Sequence, residues 1–184
     1  TIVAPEGPGE TTTVDLRLPE GVSPQNVAAT PADVTPMSSG VVRIEAPAGS
    51  RVTVSYSLRL RSGLMNPAAQ PGAPYASAHL GDFAYVAGRD TLPRPVGAQS
   101  EPDATIAVSP PPEWRAFASG IGELRPGQSA SVENPQELVL LLGPLSVHRS
   151  EAPGGRVTVV TAGDMPWPAE DSAESVQAIL GSLA

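Results

Sequence analysis

The amino-acid sequence predicts an all-β fold, an antiparallel β-sandwich of about nine strands with one short C-terminal helix. Composition gives the first reason, because 18 glycines and 22 prolines among 184 residues break helices and favour short strands joined by turns. The second reason is that apolar and polar residues alternate in short runs between those turns, as they do in strands that bury one face.

The first strands are predicted in the N-terminal third of the chain. Residues 13–18 and 41–46 alternate and end at proline-containing turns. The longest alternation covers residues 51–61, where one face carries Val52, Val54, Tyr56, Leu58 and Leu60. Because only a few residues separate the last two runs, we expect them to form a hairpin.

Shorter runs predict the remaining strands, at 83–87, 105–108, 114–118, 130–133 and 156–161. Residues 137–149 are predicted to form one long strand, kinked or bulged at Gly143-Pro144. From the alternation we expect the inward faces of the sandwich to include Val52, Val54, Tyr56, Leu58, Leu140 and Val159.

The C-terminal residues follow a different pattern. Asp171 and Glu174 are spaced as a capping box shortly after Pro168, which predicts Asp171 as the N-cap of a helix. An apolar stripe at helical spacing follows, made of Val176, Ile179, Leu180 and Leu183. We therefore predict a β-sandwich domain over residues 1–168, in which residues 1–11 are flexible, and an amphipathic helix over residues 169–184.

The junction between sheet and helix should be stiff, because Trp167 lies between Pro166 and Pro168 and proline restricts the backbone. A helix of this length is marginal in water, so its stripe needs a covering surface. That surface is either the chain's own sheet or a neighbouring domain or protein partner. The predicted interaction surface comprises Trp167, Val176, Ile179, Leu180 and Leu183.

Charge and composition argue against several classes of protein. A net charge of −8 repels phosphate backbones, so nucleic acid is not an expected partner. All 11 basic residues are arginines, which excludes a Schiff-base or P-loop lysine, and the absence of cysteine excludes thiolate metal sites. The longest apolar run, residues 138–142, is too short to span a membrane.

No set of residues predicts a catalytic, cofactor-binding or metal site. His79 and His148 lie far apart, and the sequence has no His-Glu-x-x-His helix to present two imidazoles to zinc. A metal site that includes His79 and Asp82 is the alternative, but a histidine in a polar stretch is more often solvated. With no Gly-x-Ser-x-Gly elbow either, we expect no cofactor and no enzymatic activity from this chain by itself.

Four segments of the chain resemble one family. They are the strand at 51–56, the segment 78–88, the Pro-x-x-Trp strand at 111–116 and the glycine-bearing block at 136–144. Together they resemble the N-terminal domain of the glycyl aminopeptidase family of gluzincin metallopeptidases. The resemblance implies a β-sandwich that precedes a thermolysin-like zinc domain in an exported bacterial protein. None of the family's catalytic residues maps onto this sequence.

The leading expectation is therefore a non-catalytic accessory domain, the N-terminal part of an exported metallopeptidase-like protein in the periplasm or outside the cell. A cytoplasmic location stays open. The alternative is a stand-alone binding module of the cell envelope that recognises a protein or a carbohydrate. A small self-sufficient hydrolase is the third hypothesis, which peptide assays on the isolated chain would test.

Overall fold

The computed structural model describes residues 2–3, 10–19, 24–38, 40–62, 77–97, 104–152, 155–163 and 168–183. These residues form an all-β fold of several antiparallel sheets with two short helices, one of them C-terminal. The predicted fold class is thus confirmed. In chain order the elements are β1 (Ile2–Val3), β2 (Thr11–Arg17), β3 (Gln25–Thr30), β4 (Asp33–Ser38), β5 (Val41–Pro47), β6 (Arg51–Ser57), β7 (Arg61–Ser62), β8 (Ala78–Leu80), β9 (Phe83–Ala87), α1 (Gly88–Thr91), β10 (Arg94–Pro95), β11 (Ala104–Ala107), β12 (Arg115–Ala118), β13 (Gly122–Leu124), β14 (Ser129–Val132), β15 (Val139–Gly143), β16 (Leu145–Ala152), β17 (Gly155–Ala162) and α2 (Ala169–Leu183).

The N-terminal strands form two sheets around a first hydrophobic core. One sheet has the order β1-β6-β3 and the other the order β10-β2-β5-β4. Apolar side chains from both sheets form one buried cluster of Leu16, Leu18, Val42, Ile44, Ala46 and Val52. The two sheets therefore pack face to face, because each presents its alternating apolar side to the other.

The predicted hairpin between the second and third N-terminal runs is wrong. Strand β5 pairs with β2 and β4, whereas β6 pairs with β1 and β3. A tight turn, in which the Ser50 amide donates to the Pro47 carbonyl at 3.1 Å, takes the chain from one sheet to the other. Both strands reach the same core from opposite sides, so each buries its apolar face without pairing with the other.

The second hydrophobic core lies on a six-stranded sheet with the order β13-β12-β15-β9-β8-β7. All its pairings are antiparallel except β7 with β8. Residues of the strand pair β11–β14 pack against the same core. Its buried members are Ala116, Ala118, Leu124, Val132, Leu138 and Leu140.

Contacts near α1 join the two cores. The Tyr56 hydroxyl in β6 donates to the Thr91 carbonyl at 2.6 Å, and β10 pairs with β2. Burial raises the pKa of the Tyr56 phenol, as expected for a partly desolvated ring. Of the six side chains predicted to face inward, Val52 and Leu140 are buried, while Val54, Tyr56, Leu58 and Val159 are half-buried.

The single long strand predicted over residues 137–149 is wrong, because the chain changes sheets at Pro144. Strand β15 belongs to the six-stranded sheet, whereas β16 pairs with β17 along its whole length. Gly143 ends β15 with a φ of +150°, and a Cβ there would lie 2.7 Å from Phe83 Cβ and 2.8 Å from the Asp82 carbonyl oxygen. Only glycine fits this close approach, so the last residue of β15 has to be a glycine.

Helix α2 begins at Ala169, directly after Pro168, in agreement with the predicted boundary. The prediction of Asp171 as its N-cap is wrong, because Asp171 and Glu170 both lie inside the first turn. Carboxylates there interact favourably with the positive end of the helix dipole. The capping-box spacing of Asp171 and Glu174 thus falls inside the helix and does not mark its N-cap.

Candidate functional site

Helix α2 lies on one side of the hairpin formed by β16 and β17. Helix α2 packs against both strands of the hairpin. Ala173 lies in this contact and is 1% exposed, and Val157 of β17 is also buried. Of the two surfaces considered for the helix, its own sheet therefore covers part of it.

Polar contacts fix the helix in place on the hairpin. The Gln177 side-chain amide donates to the Glu151 carbonyl at 2.9 Å and also to the Ser150 hydroxyl. Near the start of the helix, His148 Nδ1 lies 3.7 Å from a Glu170 carboxylate oxygen. Ala173 and Gln177 are four residues apart and so lie on one face of the helix.

The predicted interaction surface is only partly described. Val176 is 40% exposed, which makes it one of the exposed large apolar side chains of the described residues. It lies roughly a quarter turn around the helix from the face that contacts the hairpin, given 3.6 residues per turn. Trp167 lies outside the described residues, as do the side chains of Ile179, Leu180 and Leu183.

A cluster of arginines, not found by sequence reasoning, lies where the six-stranded sheet meets the hairpin. The Arg115 guanidinium donates to Glu123 Oε1 and to the Leu145 carbonyl, both at 2.8 Å. Arg149 of β16 lies 3.7 Å from Glu123 Oε2. The hydrogen bond from Arg115, supported by the charges of Arg149 and Arg125, lowers the pKa of the Glu123 carboxyl and keeps it ionised.

A buried polar network supports α1. Ser77 is 1% exposed; its amide donates to Asp90 Oδ2 at 2.8 Å, and its hydroxyl accepts from the Ala87 amide at 2.8 Å. The Thr91 hydroxyl donates to the Ala87 carbonyl at 2.8 Å. Each of these contacts satisfies a backbone group at the end of a strand or helix, so the pairing of a serine with a carboxylate here is structural.

A shallow cleft lies beside α1. It has a volume of about 430 Å³ and is lined by Arg89 of α1 and by loop residues that include Asn134, Gln136, Glu137 and Leu138. The Gly88 amide donates to Leu138 at 2.7 Å and the Arg89 amide to Gln136 at 3.0 Å, so backbone bonds hold its two walls together. The charged ends of Arg89 and Glu137 are accessible to solvent.

The two histidines lie on different elements. His79 in β8 is exposed, next to the exposed Asp82 in the following turn. His148 faces α2, as described above. Among the described residues, no group of three or more His, Cys, Asp or Glu side chains is placed to hold a metal ion. No helix in the described part of the chain is long and apolar enough to cross a membrane.

No family model matches this chain, and a search of curated proteins finds no match. The resemblance to the glycyl aminopeptidase N-terminal domain therefore stays a prediction from the four short segments.

Proposed function

We propose that this chain is a non-catalytic accessory domain that contacts a neighbouring domain or protein partner through α2. The observation that carries this proposal is that α2 has one face bound to the hairpin and an exposed apolar residue beside that face. One face is fixed to the hairpin through Ala173 and Gln177, while the apolar Val176 beside it stays 40% exposed. An apolar residue held on a rigid, anchored helix is suited to a further contact, because little conformational entropy is lost when a partner covers it.

Amide hydrogen exchange on α2 tests this proposal. The isolated chain is the reference for this measurement. We expect α2 amides to exchange at least about tenfold more slowly when the chain is part of its longest natural polypeptide, or when its partner is bound. Val176→Asp should remove that gain, because it buries an unpaired charge in the contact. In the isolated chain the same change should cost less than about 1 kcal/mol, since the position is exposed.

Ala178→Asp is the matched control. Ala178 is exposed on the same helix but lies roughly half a turn from Val176. The substitution therefore adds the same charge on the opposite side of the helix and should leave the gain in protection intact. Equal exchange rates with and without the rest of the polypeptide or the partner would contradict the proposal. Turnover of a substrate by the isolated chain would contradict the non-catalytic assignment.

The cleft beside α1 favours a second function, a stand-alone module that binds a carbohydrate. Its lining combines a guanidinium, a carboxylate and two side-chain amides, from Arg89, Glu137, Asn134 and Gln136. These groups supply both hydrogen-bond donors and acceptors, which is what a ligand with many hydroxyl groups requires. A volume of about 430 Å³ is within the range of small-molecule sites.

Calorimetric titration with soluble oligosaccharides tests this second function. Glu137→Gln should weaken binding by about tenfold, because a hydrogen bond to a charged carboxylate is replaced by a weaker one to a neutral amide oxygen. Glu133→Gln changes an exposed glutamate in the same loop that does not line the cleft, and it should have no effect. The absence of any binding heat across the oligosaccharides, or equal losses in the two variants, would contradict this function.

A further inference from the structure

The arginine cluster around Glu123 has an unbalanced charge. Arg115 and Arg149 both contact the Glu123 carboxylate. Arg125 comes directly after β13, where the register of β12 and β13 would continue opposite Arg115, and its charge also acts on Glu123. Three guanidinium groups thus belong to the surroundings of one carboxylate, which leaves two excess positive charges on a chain whose net charge is −8.

The excess charge is carried by Arg149 and Arg125. Arg115 is committed to the fold, because its guanidinium donates to both Glu123 and the Leu145 carbonyl. Arg149 is 50% exposed and lies 3.7 Å from Glu123, too far for a tight bond. In the described part of the chain, Arg149 has no other ion-pair partner and Arg125 has none.

The fold holds this positive patch at a fixed place. Arg115 and Glu123 lie on the paired strands β12 and β13, and Arg149 lies on β16 of the hairpin. The bond from Arg115 to Leu145 connects the sheet to the first residue of β16. Secondary structure thus holds Arg149 beside the ion pair of Arg115 and Glu123, which reduces the entropy lost when an anion binds there.

We propose that this patch binds a short acidic segment of a protein partner, with its carboxylates on Arg149 and Arg125. The planar guanidinium fork matches a carboxylate. The net negative charge of the chain favours binding of a short acidic segment over a long one. A long polyanion would extend from a patch of two excess charges onto a surface that is net acidic and would be repelled there. This inference does not depend on the proposed role of Val176, which belongs to a different element.

Fluorescence anisotropy with a labelled octaglutamate peptide tests this inference. We expect binding at about 50 mM salt that weakens strongly by about 300 mM, because solvent-exposed charges are screened. Arg149→Gln and Arg125→Gln should each weaken binding by about two- to fivefold, the range for exposed ion pairs. Arg149→Glu should weaken it further. Circular dichroism should be unchanged, because both arginines are exposed.

Arg43→Gln is the matched control. Arg43 lies on β5 of the N-terminal sheet, and its guanidinium is already paired with Asp15 at 2.8 Å, so the change should leave affinity unaltered. A failure of octaglutamate to bind at low salt would overturn the inference, and so would equal losses in the Arg149 and Arg43 variants. Displacement of the peptide by free glutamate at equal carboxylate concentration would show a site for simple anions and would also overturn it. None of these results bears on the exchange test of α2.

Discussion

Leu16→Ala is expected to lower the free energy of unfolding by about 2–5 kcal/mol, the range for removing a buried leucine side chain. Leu16 is 0% exposed, at the centre of the first core, where side chains from two sheets surround it. The space left by the missing methyl groups can close only if both sheets move. Chemical denaturation would measure the loss, and a chain of this length should lose about 2–4 °C in Tm for each kcal/mol.

Two further variants make this test specific. Met37→Ala removes a large apolar side chain that is 50% exposed, and it should change stability by less than about 0.5 kcal/mol. Leu124→Ala acts in the second core, so its cost should add to that of Leu16→Ala, because the two sites share no neighbours. A loss below about 1 kcal/mol for Leu16→Ala would mean that the two N-terminal sheets do not enclose this side chain.

Gly88→Ala is expected to cost about 3–5 kcal/mol, although it adds a single methyl group. The new Cβ would lie 1.9 Å from the Pro135 carbonyl oxygen and 3.3 Å from that of Leu138. Because both neighbours are backbone atoms, α1 and the loop must separate. That movement weakens the two backbone hydrogen bonds across the cleft, each worth about 1 kcal/mol, and adds the strain of overpacking.

Gly120→Ala is the control for this substitution. Gly120 has a φ of +72° and open space around its Cβ position, so alanine there should cost only the strain of a left-handed backbone, about 1–2 kcal/mol. Comparing Tm values of the two variants separates a steric clash from backbone strain. If Gly88→Ala costs no more than Gly120→Ala, the close approach of Pro135 to α1 is wrong.

The sequence predicted strands well where a strand has one apolar and one polar face. Strand β6 shows this, because Val52 is buried and Thr53 and Ser55 are exposed. Alternation identifies the buried face but not the pairing partner, since any strand that faces the same core satisfies it. That is why the hairpin between residues 41–46 and 51–61 was predicted wrongly while both strands were found.

The strands missed in the sequence carry a weaker pattern. The described residues contain 17 strands, against about nine predicted. Strand β4 lies at the edge of its sheet and includes Pro36 and the exposed Met37. An edge strand needs fewer backbone donors and less apolar surface, so proline is tolerated there. Strands such as β10, with two residues, are too short for any period to be visible.

The arginine cluster could be foreseen only in part. Strands β12 and β13 are joined by residues 119–121. A hairpin prediction there would have placed Glu123 opposite Phe117 and made Arg115 its diagonal neighbour on the same face. Nothing in the sequence places Arg149 beside them, because that contact depends on the chain leaving the six-stranded sheet at Pro144. The interaction surface predicted on α2 rests on the helical period alone, and Val176 is the only residue of that surface whose side chain is described.

The order in which the chain leaves the ribosome has a consequence for strand β2. Its partner β5 follows within about thirty residues of synthesis, but its other neighbour, β10, comes from residues Arg94–Pro95. Until those residues emerge, the outer edge of β2 offers unpaired backbone groups to any other nascent chain. Strand β10 pairs late with Leu16 and Arg17 at one end of that edge, and a nascent chain stalled before residue 94 would leave this end of β2 open to intermolecular pairing.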